Sequence, residues 1–212
     1  MVAAYVPGPS GPIVLSTAAA AATTTWDPSN KSTKITLSGG NLVATSGASA
    51  GAATAVRSVA SHSTGKYYAE FTMTTKTASD STCVGLVNAS YAIDGASFIG
   101  QTANGMGYWD ANEYVINNIT THATGTATYT TGDVISMAVD TTARLVWFRK
   151  NGGSWIGTTS GDPAAGTNGF DISGLTGALY AAVEEEVSGM VWTANFGATA
   201  YAQAVPSGYG NW

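Results

Sequence analysis

The sequence predicts an all-β fold in which antiparallel strands form a two-sheet sandwich or a barrel. Residues 67–74 alternate in hydrophobic character with a period of two, which is typical of a half-buried strand. Residues 135–148 contain a second alternating segment, a turn and a returning apolar segment, the pattern of a β-hairpin. No segment has a convincing helical period. Many short strands rich in Thr, Val, Tyr and Gly favour two packed sheets.

The first 25 residues differ in composition from the rest of the chain. They contain a Pro/Gly run at residues 7–12, an apolar patch at residues 13–15 and an Ala/Thr tract at residues 18–25. The Pro/Gly run favours extended backbone, and the alanine tract is too short to form a stable helix alone. We therefore predict an extended N-terminal arm at residues 1–25, ordered by packing on a neighbouring subunit or scaffold, and a β-sandwich domain at residues 26–212.

Within the domain, the hairpin and the last strand can be placed along the chain. Residues 135–139 form one apolar face, residues 140–143 supply the turn, and residues 145–148 return. The Asn-Gly-Gly sequence at residues 151–153 ends the hairpin with residue types that accept positive φ. We expect the last strand at residues 190–196, where a glycine follows.

The chain is acidic and carries few charges. Charged residues make up 10% of the sequence, the net charge is −5 and no Lys or Arg lies between Lys76 and Arg144. A typical soluble domain has about 25% charged residues. Because phosphate contacts need clustered Lys and Arg, this composition excludes a nucleic-acid-binding protein. It also excludes a coiled coil and a charged disordered tail, both of which need many more charges.

Cysteine usage and hydropathy bear on the compartment. The single cysteine, Cys83, forms no intramolecular disulfide, and we expect a small buried side chain in a strand. No run of 18 apolar residues occurs, so we expect no membrane insertion. No Lys or Arg precedes Lys31, and Pro7, Pro9 and Pro12 interrupt the N-terminal apolar stretch. We therefore expect no signal peptide and synthesis in a cytoplasm.

Four sequence motifs occur in an order that one known family shares. They are residues 63–70 (STGKYYAE), residues 105–110 (GMGYWD), residues 132–153, which hold Gly-Asp, a strand ending in Asp and a Phe-x-Lys-Asn-Gly hairpin, and the closing strands at residues 179–183 and 193–197. Together they resemble the SPRY domain, the core of the B30.2 family. The resemblance implies a bent antiparallel β-sandwich, similar to the concanavalin A-like lectins, that binds partners through loops at one end.

One segment departs from the family pattern. Residues 161–169 form a long Gly-rich stretch that looks like versions found in bacteriophage and prophage proteins. No RING, B-box or coiled coil accompanies the motifs, so the resemblance implies no ubiquitin-ligase context.

Enzymes on lectin-like sandwiches also need consideration, because retaining glycosidases use two carboxyl groups about 5–5.5 Å apart. The only acidic cluster is Glu184, Glu185 and Glu186, and strand geometry puts Glu184 and Glu186 on one face. The Glu-x-Asp-x-x-Glu pattern of the family glucanases is absent, so we predict no enzyme and no catalytic residue. We expect the glutamates at an exposed strand end or turn that discourages edge pairing, with a cation site as the alternative.

The two histidines and the loops carry no further chemistry. His62 and His122 lie in polar, loop-like contexts with no Cys or His at metal-ligand spacing, and we expect both at the surface. No phosphate-cradling loop, dinucleotide fingerprint or nucleophile elbow occurs. We predict no metal and no cofactor.

The segment around Trp109 is the candidate binding site. It places aromatic rings beside carboxylate and amide groups, which suits a sugar because rings stack on a pyranose while polar groups take the hydroxyls. Packing in the core is the alternative for Tyr108 and Trp109, and a turn is the alternative for Asp94. The candidate ligand contacts are Trp109, Asp110, Asn112, Tyr114 and Asp94. The residues expected in the core are Trp147, Phe148, Trp192 and Phe196.

Three functions follow from these observations. The first is a non-enzymatic virion protein of a tailed bacteriophage, a fibre, spike or capsid-decorating protein assembled in the host cytoplasm. Its arm would contact other virion proteins, its subunits would form a homo-oligomer, and its domain would bind a host surface glycan or protein. The second is a free bacterial module that binds a carbohydrate or peptide. The third is a hydrolase or lyase on the lectin-like fold.

Overall fold

Strands alone make up the regular structure of the described chain. A computed structural model describes residues 24–47, 54–78, 82–95, 97–110, 113–116, 119–121 and 128–212. The strands are β1 (Trp26–Lys31), β2 (Ile35–Ser38), β3 (Val43–Ser46), β4 (Thr54–His62), β5 (Lys66–Thr75), β6 (Thr82–Asn88), β7 (Gly105–Trp109), β8 (Glu113–Ile116), β9 (Ile119–Thr121), β10 (Val134–Asp140), β11 (Leu145–Lys150), β12 (Phe170–Asp171), β13 (Leu179–Glu185), β14 (Val191–Asn195) and β15 (Gly210–Asn211). The prediction of an all-β fold is confirmed.

The strands form two packed sheets. Sheet A has seven strands in the order β1-β4-β13-β6-β7-β8-β9. Sheet B has the order β12-β11-β10-β5-β14-β3-β2, with β15 also paired to β5. Every strand pair is antiparallel except β15 with β5. The predicted antiparallel sandwich is therefore confirmed.

The predicted central strand and hairpin lie in the middle of sheet B. In β5, Ala69, Phe71 and Met73 face the other sheet and are fully buried, as the period of two predicts. The β10–β11 hairpin pairs Asp140 with Leu145. The Asp140 carboxylate accepts hydrogen bonds from the amides of residues 142 and 143, which closes the turn.

The core between the sheets is aromatic. Trp26 stacks on Phe71 and meets Phe196 edge-on, with ring centroids 5.8 and 5.1 Å apart. The expected core residues Phe148, Trp192 and Phe196 lie in this cluster. The fourth, Trp147, is fully buried, but on the outer face of sheet B, because neighbouring residues of a strand point to opposite faces.

The loop at residues 161–169 explains the burial of Trp147. The indole of Trp147 donates a hydrogen bond to the Thr167 carbonyl at 2.8 Å. A Cβ on Gly161 or Gly169 would come within 2.7 Å of the Trp147 side chain. Both glycines are therefore required for the loop to lie flat on this ring. Packing against Trp147 thus explains two of the glycines in the loop.

The C-terminal segment covers the rest of the outer face of sheet B. The expectation that residues 190–196 form the last strand is wrong, because β15 follows and pairs with the start of β5 beyond the end of β14. Tyr201 and Tyr209 of this segment pack on the outer face, whereas the terminal Trp212 is buried in the core between the sheets, where its indole donates to the hydroxyl of Ser58 in β4 at 3.1 Å. A two-residue strand carries no periodicity, so sequence pattern alone misses it.

The connection between β6 and β7 covers the outer face of sheet A. It leaves the sheet where Asn88 donates its amide to the Asn104 carbonyl at 3.0 Å. Its residues 89–95 and 97–104 are called the cover below. Under the cover lies a second apolar cluster, separate from the core between the sheets: Ala55, Cys83, Val87, Tyr91, Ile99, Trp109 and Ala182.

Most of the predicted N-terminal arm lies outside the described residues. Just before β1, the Thr25 carbonyl accepts the Val59 amide and the Thr24 hydroxyl accepts the Ala60 amide. The described chain thus enters sheet A along the end of β4. The arm at residues 1–25 and its role stay predictions. Within the described ranges, no helix has the length and apolar character needed to cross a membrane.

Candidate functional site

The outer face of sheet A, with its cover, holds the most unusual chemistry of the described chain. Strand register places Ala55, Glu184, Cys83 and Trp109 side by side across β4, β13, β6 and β7. All four are buried, although they point away from the other sheet. The cover therefore supplies the second layer that makes this face an interior.

Trp109 is held beneath the cover. Its side chain is 6% exposed, its indole donates to the Ile99 carbonyl at 3.2 Å, and Phe98 meets it edge-on at 5.6 Å between ring centroids. The packing alternative for Trp109 thus describes its position, and Tyr108 likewise lies in the core between the sheets. A ligand reaches the Trp109 ring only where the cover is displaced.

Asp110 lies at the end of β7 and is 1% exposed. Its carboxylate forms an ion pair with Lys76 at 2.7 Å and accepts the Thr82 amide at 3.3 Å. The Lys76 ammonium also donates to the Tyr129 carbonyl at 2.8 Å. Because the carboxylate is buried in this ion pair, its contacts are with the protein itself, at the end of the sandwich.

Of the other three candidate ligand contacts, one is at the surface and two have side chains outside the described part of the structure. Asp94 lies exposed in a turn of the cover, where the Gly95 amide donates to the Ala92 carbonyl. Asn112 lies outside the described residues, and Tyr114 belongs to β8, of which only the backbone is described. The structure thus brings Asp94 and Trp109 to one covered face. The ligand-binding role of the five residues stays a prediction.

The glutamates of β13 are where sequence reasoning was wrong. Glu184 and Glu185 are fully buried, not exposed at a strand end. The reason is that β13 lies in the middle of sheet A, between β4 and β6, so its end is no edge. Glu184 points under the cover, and Glu185, one residue later, points to the opposite face.

The Glu184 carboxyl has an asymmetric environment. Its Oε2 accepts the Ile99 amide at 2.5 Å and the Tyr91 hydroxyl at 3.3 Å, while its buried Oε1 has no hydrogen-bond partner among the described residues. Burial raises the pKa of Glu184 to about 8, against the opposing effect of these two donors. Burial also raises the pKa of Glu185 above its ordinary value.

The solvent side of the same face presents a mixed apolar and charged surface, called the outer-face patch. Its half-buried hydrophobic members pack on the cluster beneath the cover. The Arg57 guanidinium lies 4.4 Å from the Tyr180 ring centroid and donates to the Asn30 side chain at 2.7 Å. The patch consists of Arg57, Ile93, Asp94, Phe98 and Tyr180.

Of the five members of this patch, sequence reasoning predicted only Asp94 and missed Arg57, Ile93, Phe98 and Tyr180. Arg57 is the only Lys or Arg between Lys34 and Lys66, and Tyr180 lies within the closing-strand motif. An isolated arginine on a strand was the available signal, but its partner Tyr180 is distant in sequence. Register between β4 and β13, which also contains an irregularity at this point, is what brings the two together.

The expectations about the cysteine and the histidines were met to different degrees. Cys83 is buried, as expected, and burial raises the pKa of its thiol well above its ordinary value. His62 is half-buried and stacks on Tyr67 at 3.5 Å between ring centroids, so the surface expectation holds only in part. Burial lowers the pKa of His62. His122 lies outside the described residues.

Metal chemistry finds little support in this part of the chain. Among the residues that the structure describes, no three His, Cys, Asp or Glu side chains converge as a metal-binding group. Glu184 and Glu185 point to opposite faces, whereas the half-buried Glu186 is near enough to Glu184 for its charge to raise the pKa of Glu184.

Comparison with known proteins shows what the sandwich is similar to. Residues 66–170 match the family model of the SPRY domain. The SPRY domain of human HERC1 superposes with a TM-score of 0.65 at 19% identity, covering 82% of this chain and 99% of that one. Another human SPRY domain superposes with a TM-score of 0.52 at 15% identity, covering 79% and 98%. Stonustoxin superposes with a TM-score of 0.58 at 14% identity, covering 82% of this chain and 27% of that one. No curated protein matches the sequence significantly.

Proposed function

We propose, from the premise that this chain contains a SPRY domain, that it is a non-catalytic protein-binding module whose contact surface is the outer-face patch. One observation carries the choice of surface. The patch combines an arginine, two aromatic rings and an aliphatic side chain on two strands, β4 and β13, and a cover that are fixed by packing beneath them. Arg and aromatic residues are enriched where protein interfaces gain most of their affinity.

The chemistry of the patch defines the partner. Phe98 and Tyr180 offer half-buried rings for an apolar anchor, and Arg57 already lies flat on Tyr180, so little side-chain freedom is lost on binding. A partner with an apolar side chain beside a carboxylate fits this arrangement, because Arg57 would pair with the carboxylate. Asp94 at the rim favours a basic neighbour on the partner.

The test compares two contacts between a cation and an aromatic ring, one on each sheet. Arg57 lies over Tyr180, and Lys66 lies 5.6 Å from the Tyr209 ring centroid on the other sheet. The full chain and its Arg57→Ala and Lys66→Ala variants are immobilised and exposed to extract of the cell that makes the protein. We expect one bound protein whose affinity falls about tenfold with Arg57→Ala, the size of a hot-spot loss, and is unchanged by Lys66→Ala.

Two results would count against this function. Equal retention by Arg57→Ala and the wild type would show that the patch is not the contact surface. Retention of no protein by the wild type would remove the binding module itself. Urea unfolding of each variant establishes that the fold is intact before binding is compared.

A narrower proposal places this module on a tailed-phage virion as a fibre, spike or decorating protein. Its support is the sequence alone: the low charge, the Gly-rich loop at residues 161–169 and the composition of the arm at residues 1–25. Mass spectrometry of purified virions should find the chain in many copies, and light scattering should give an oligomer that becomes a monomer without the arm. Absence from virions would refute the proposal.

The alternative is a free bacterial module for a carbohydrate or peptide. It is favoured by the half-buried rings of Phe98 and Tyr180 beside Asp94, since rings and carboxylates also suit sugars. A glycan that the wild type binds and Tyr180→Ala does not would select it over the protein-binding proposal.

A further inference from the structure

Glu184 connects the cover to sheet A through a single oxygen. Both donors to Oε2 belong to the cover: the Ile99 amide and the Tyr91 hydroxyl. The carboxyl is fully buried, and within the described part of the chain Oε1 has neither a donor nor water-exposed surface. An ionised carboxylate would carry half of its charge on that unpartnered oxygen, which is costly in an apolar interior. A neutral carboxyl, with its proton on Oε1, suits this geometry better.

The groups packed around Glu184 give an ionised form no compensation. Cys83 of β6 and Tyr91 of the cover are neutral, because burial raises the pKa of both. Glu186, which directly follows β13, is acidic, and its charge further disfavours ionisation of Glu184. Ala55 of β4 and Trp109 of β7 do not titrate, and Arg57 of β4 contacts the Tyr180 ring, the Asn30 side chain and the Ala89 carbonyl of the cover. Among the described residues, no cation reaches the Glu184 carboxyl.

We propose that Glu184 is a proton-dependent switch: its neutral carboxyl holds the cover on sheet A, and loss of the proton releases the cover. Because Phe98 is one residue from Ile99 and packs edge-on against Trp109, release moves Phe98 and Ile93 away from Tyr180 and dismantles the outer-face patch. The consequence for partner binding rests on the proposed function, whereas the switch itself does not.

The direction of the pH effect follows from linkage. A carboxyl in the open form has an ordinary pKa of about 4.3, and burial under the cover raises the pKa of Glu184 to about 8. Between these values the closed form retains a proton that the open form loses, so rising pH favours opening. The open fraction should increase about tenfold per pH unit in this interval and become constant above it.

The single cysteine is a natural reporter of the switch. Cys83 lies opposite Glu184 in strand register, beneath the cover, and is fully buried. We would measure the rate at which a small disulfide reagent labels Cys83 in the wild type, Glu184→Gln and Asp94→Asn between about pH 5 and about pH 9. Each rate is divided by that of the urea-unfolded protein, which corrects for thiol ionisation.

We expect corrected wild-type labelling to rise with pH until about pH 8, and labelling of Glu184→Gln to stay flat. Asp94→Asn, which neutralises an exposed carboxyl of the same cover, should follow the wild type. Identical profiles for the wild type and Glu184→Gln would overturn the switch. Labelling that rises steeply with low urea would also overturn it, because opening would then be global unfolding.

A second measurement needs no variant. Hydrogen exchange of the Ile99 amide, bound to Glu184, is compared with that of the Ala202 amide, bound to Glu70 in the same molecule. The ratio of the two protection factors should fall as pH rises, and a constant ratio would contradict the proposal. Both readouts are independent of any partner, so a failed binding test leaves the switch standing and a failed switch leaves the binding test standing.

Discussion

Two buried glutamates, one on each outer face of the sandwich, fasten a covering segment to a sheet by different means. Glu184 holds the cover on sheet A, and Glu70 holds the C-terminal segment on sheet B. Both accept main-chain donors from the segment and one tyrosine hydroxyl, which comes from the cover itself (Tyr91) at Glu184 and from sheet B (Tyr68) at Glu70. The comparison isolates what decides whether a buried carboxyl serves as a permanent or a conditional attachment.

The difference lies in how the donors are distributed. In Glu70, Oε1 accepts the Tyr68 hydroxyl at 2.7 Å and the Gln203 amide at 2.8 Å, and Oε2 accepts the Ala202 amide at 2.7 Å. The Arg149 guanidinium lies beside this cluster and donates to the Ala204 carbonyl. Donors on both oxygens and a nearby cation suit a carboxylate, whereas Glu184 has neither. The same residue type therefore forms one attachment that favours charge and one that opposes it.

The largest loss of stability is expected at a third buried carboxyl, Asp110, which forms an ion pair with Lys76. Lys76→Met leaves Asp110 buried without its ion-pair partner at 2.7 Å. Breaking such a pair costs about 3–5 kcal/mol, measured as the free energy of unfolding in urea. Lys150→Met is the matched control, because Lys150 also pairs with a carboxylate and a carbonyl but is more exposed. It should cost less than about 1 kcal/mol, and equal losses would contradict the account.

The next effect separates the two glutamates by one substitution. Glu70→Gln replaces one accepting oxygen with an NH2 group, which then faces a hydrogen-bond donor. The free energy of unfolding should fall by about 2–3 kcal/mol at neutral pH. Glu184→Gln keeps the acceptor for Ile99 and Tyr91 and removes a titratable group from the interior, so it should cost little or stabilise. Urea unfolding of both variants tests this, and similar losses at the two sites would refute the distinction.

A smaller effect is the dependence of stability on pH. Because burial raises the pKa of Glu184 to about 8, its contribution is fully present below about pH 4.3 and is lost as pH rises to about 8. One such group gives a slope of at most about 1.4 kcal/mol per pH unit. Glu185, whose pKa is also raised, adds to the slope in the same direction. Burial also raises the pKa of Glu186, so Glu184→Gln should remove one of three contributions, and an unchanged slope would argue against the neutral carboxyl.

The smallest effect concerns the tyrosine of the cover. Tyr91→Phe removes one hydroxyl donor to Oε2 and leaves the ring in the cluster. The loss should be about 0.5–1.5 kcal/mol in urea unfolding. It should be larger above about pH 8 than at pH 5, because the ionised carboxylate depends more on the donor. A loss that is the same at both pH values would mean that the hydroxyl contributes equally to both forms.

Sequence pattern was sufficient to predict strands whose signals lie within a few consecutive residues. The alternation in β5 and the turn between β10 and β11 are local, so residue order predicts them directly. The position of Glu184 is set by β4 and β6, which are distant in sequence, and burial of a glutamate runs against its ordinary preference. The residue therefore looked like a surface charge until register placed it between two other strands.

The candidate binding residues show the same limit. Trp109 and Asp110 were expected side by side at a ligand, but alternation sends one under the cover and the other toward Lys76. The patch that replaces them joins Arg57, Tyr180 and the cover, three segments that only the strand order of sheet A brings together. No local pattern encodes that meeting.

The most direct test of the account is the protonation state of Glu184 itself. Carbon-detected NMR of the Glu side-chain carboxyl carbons, with the Glu184 signal assigned by its absence in Glu184→Gln, reports that state at each pH. The account predicts that the signal keeps the chemical shift of a neutral carboxyl at pH 6 and changes only near pH 8. A signal already at the chemical shift of a carboxylate at pH 6 would contradict it.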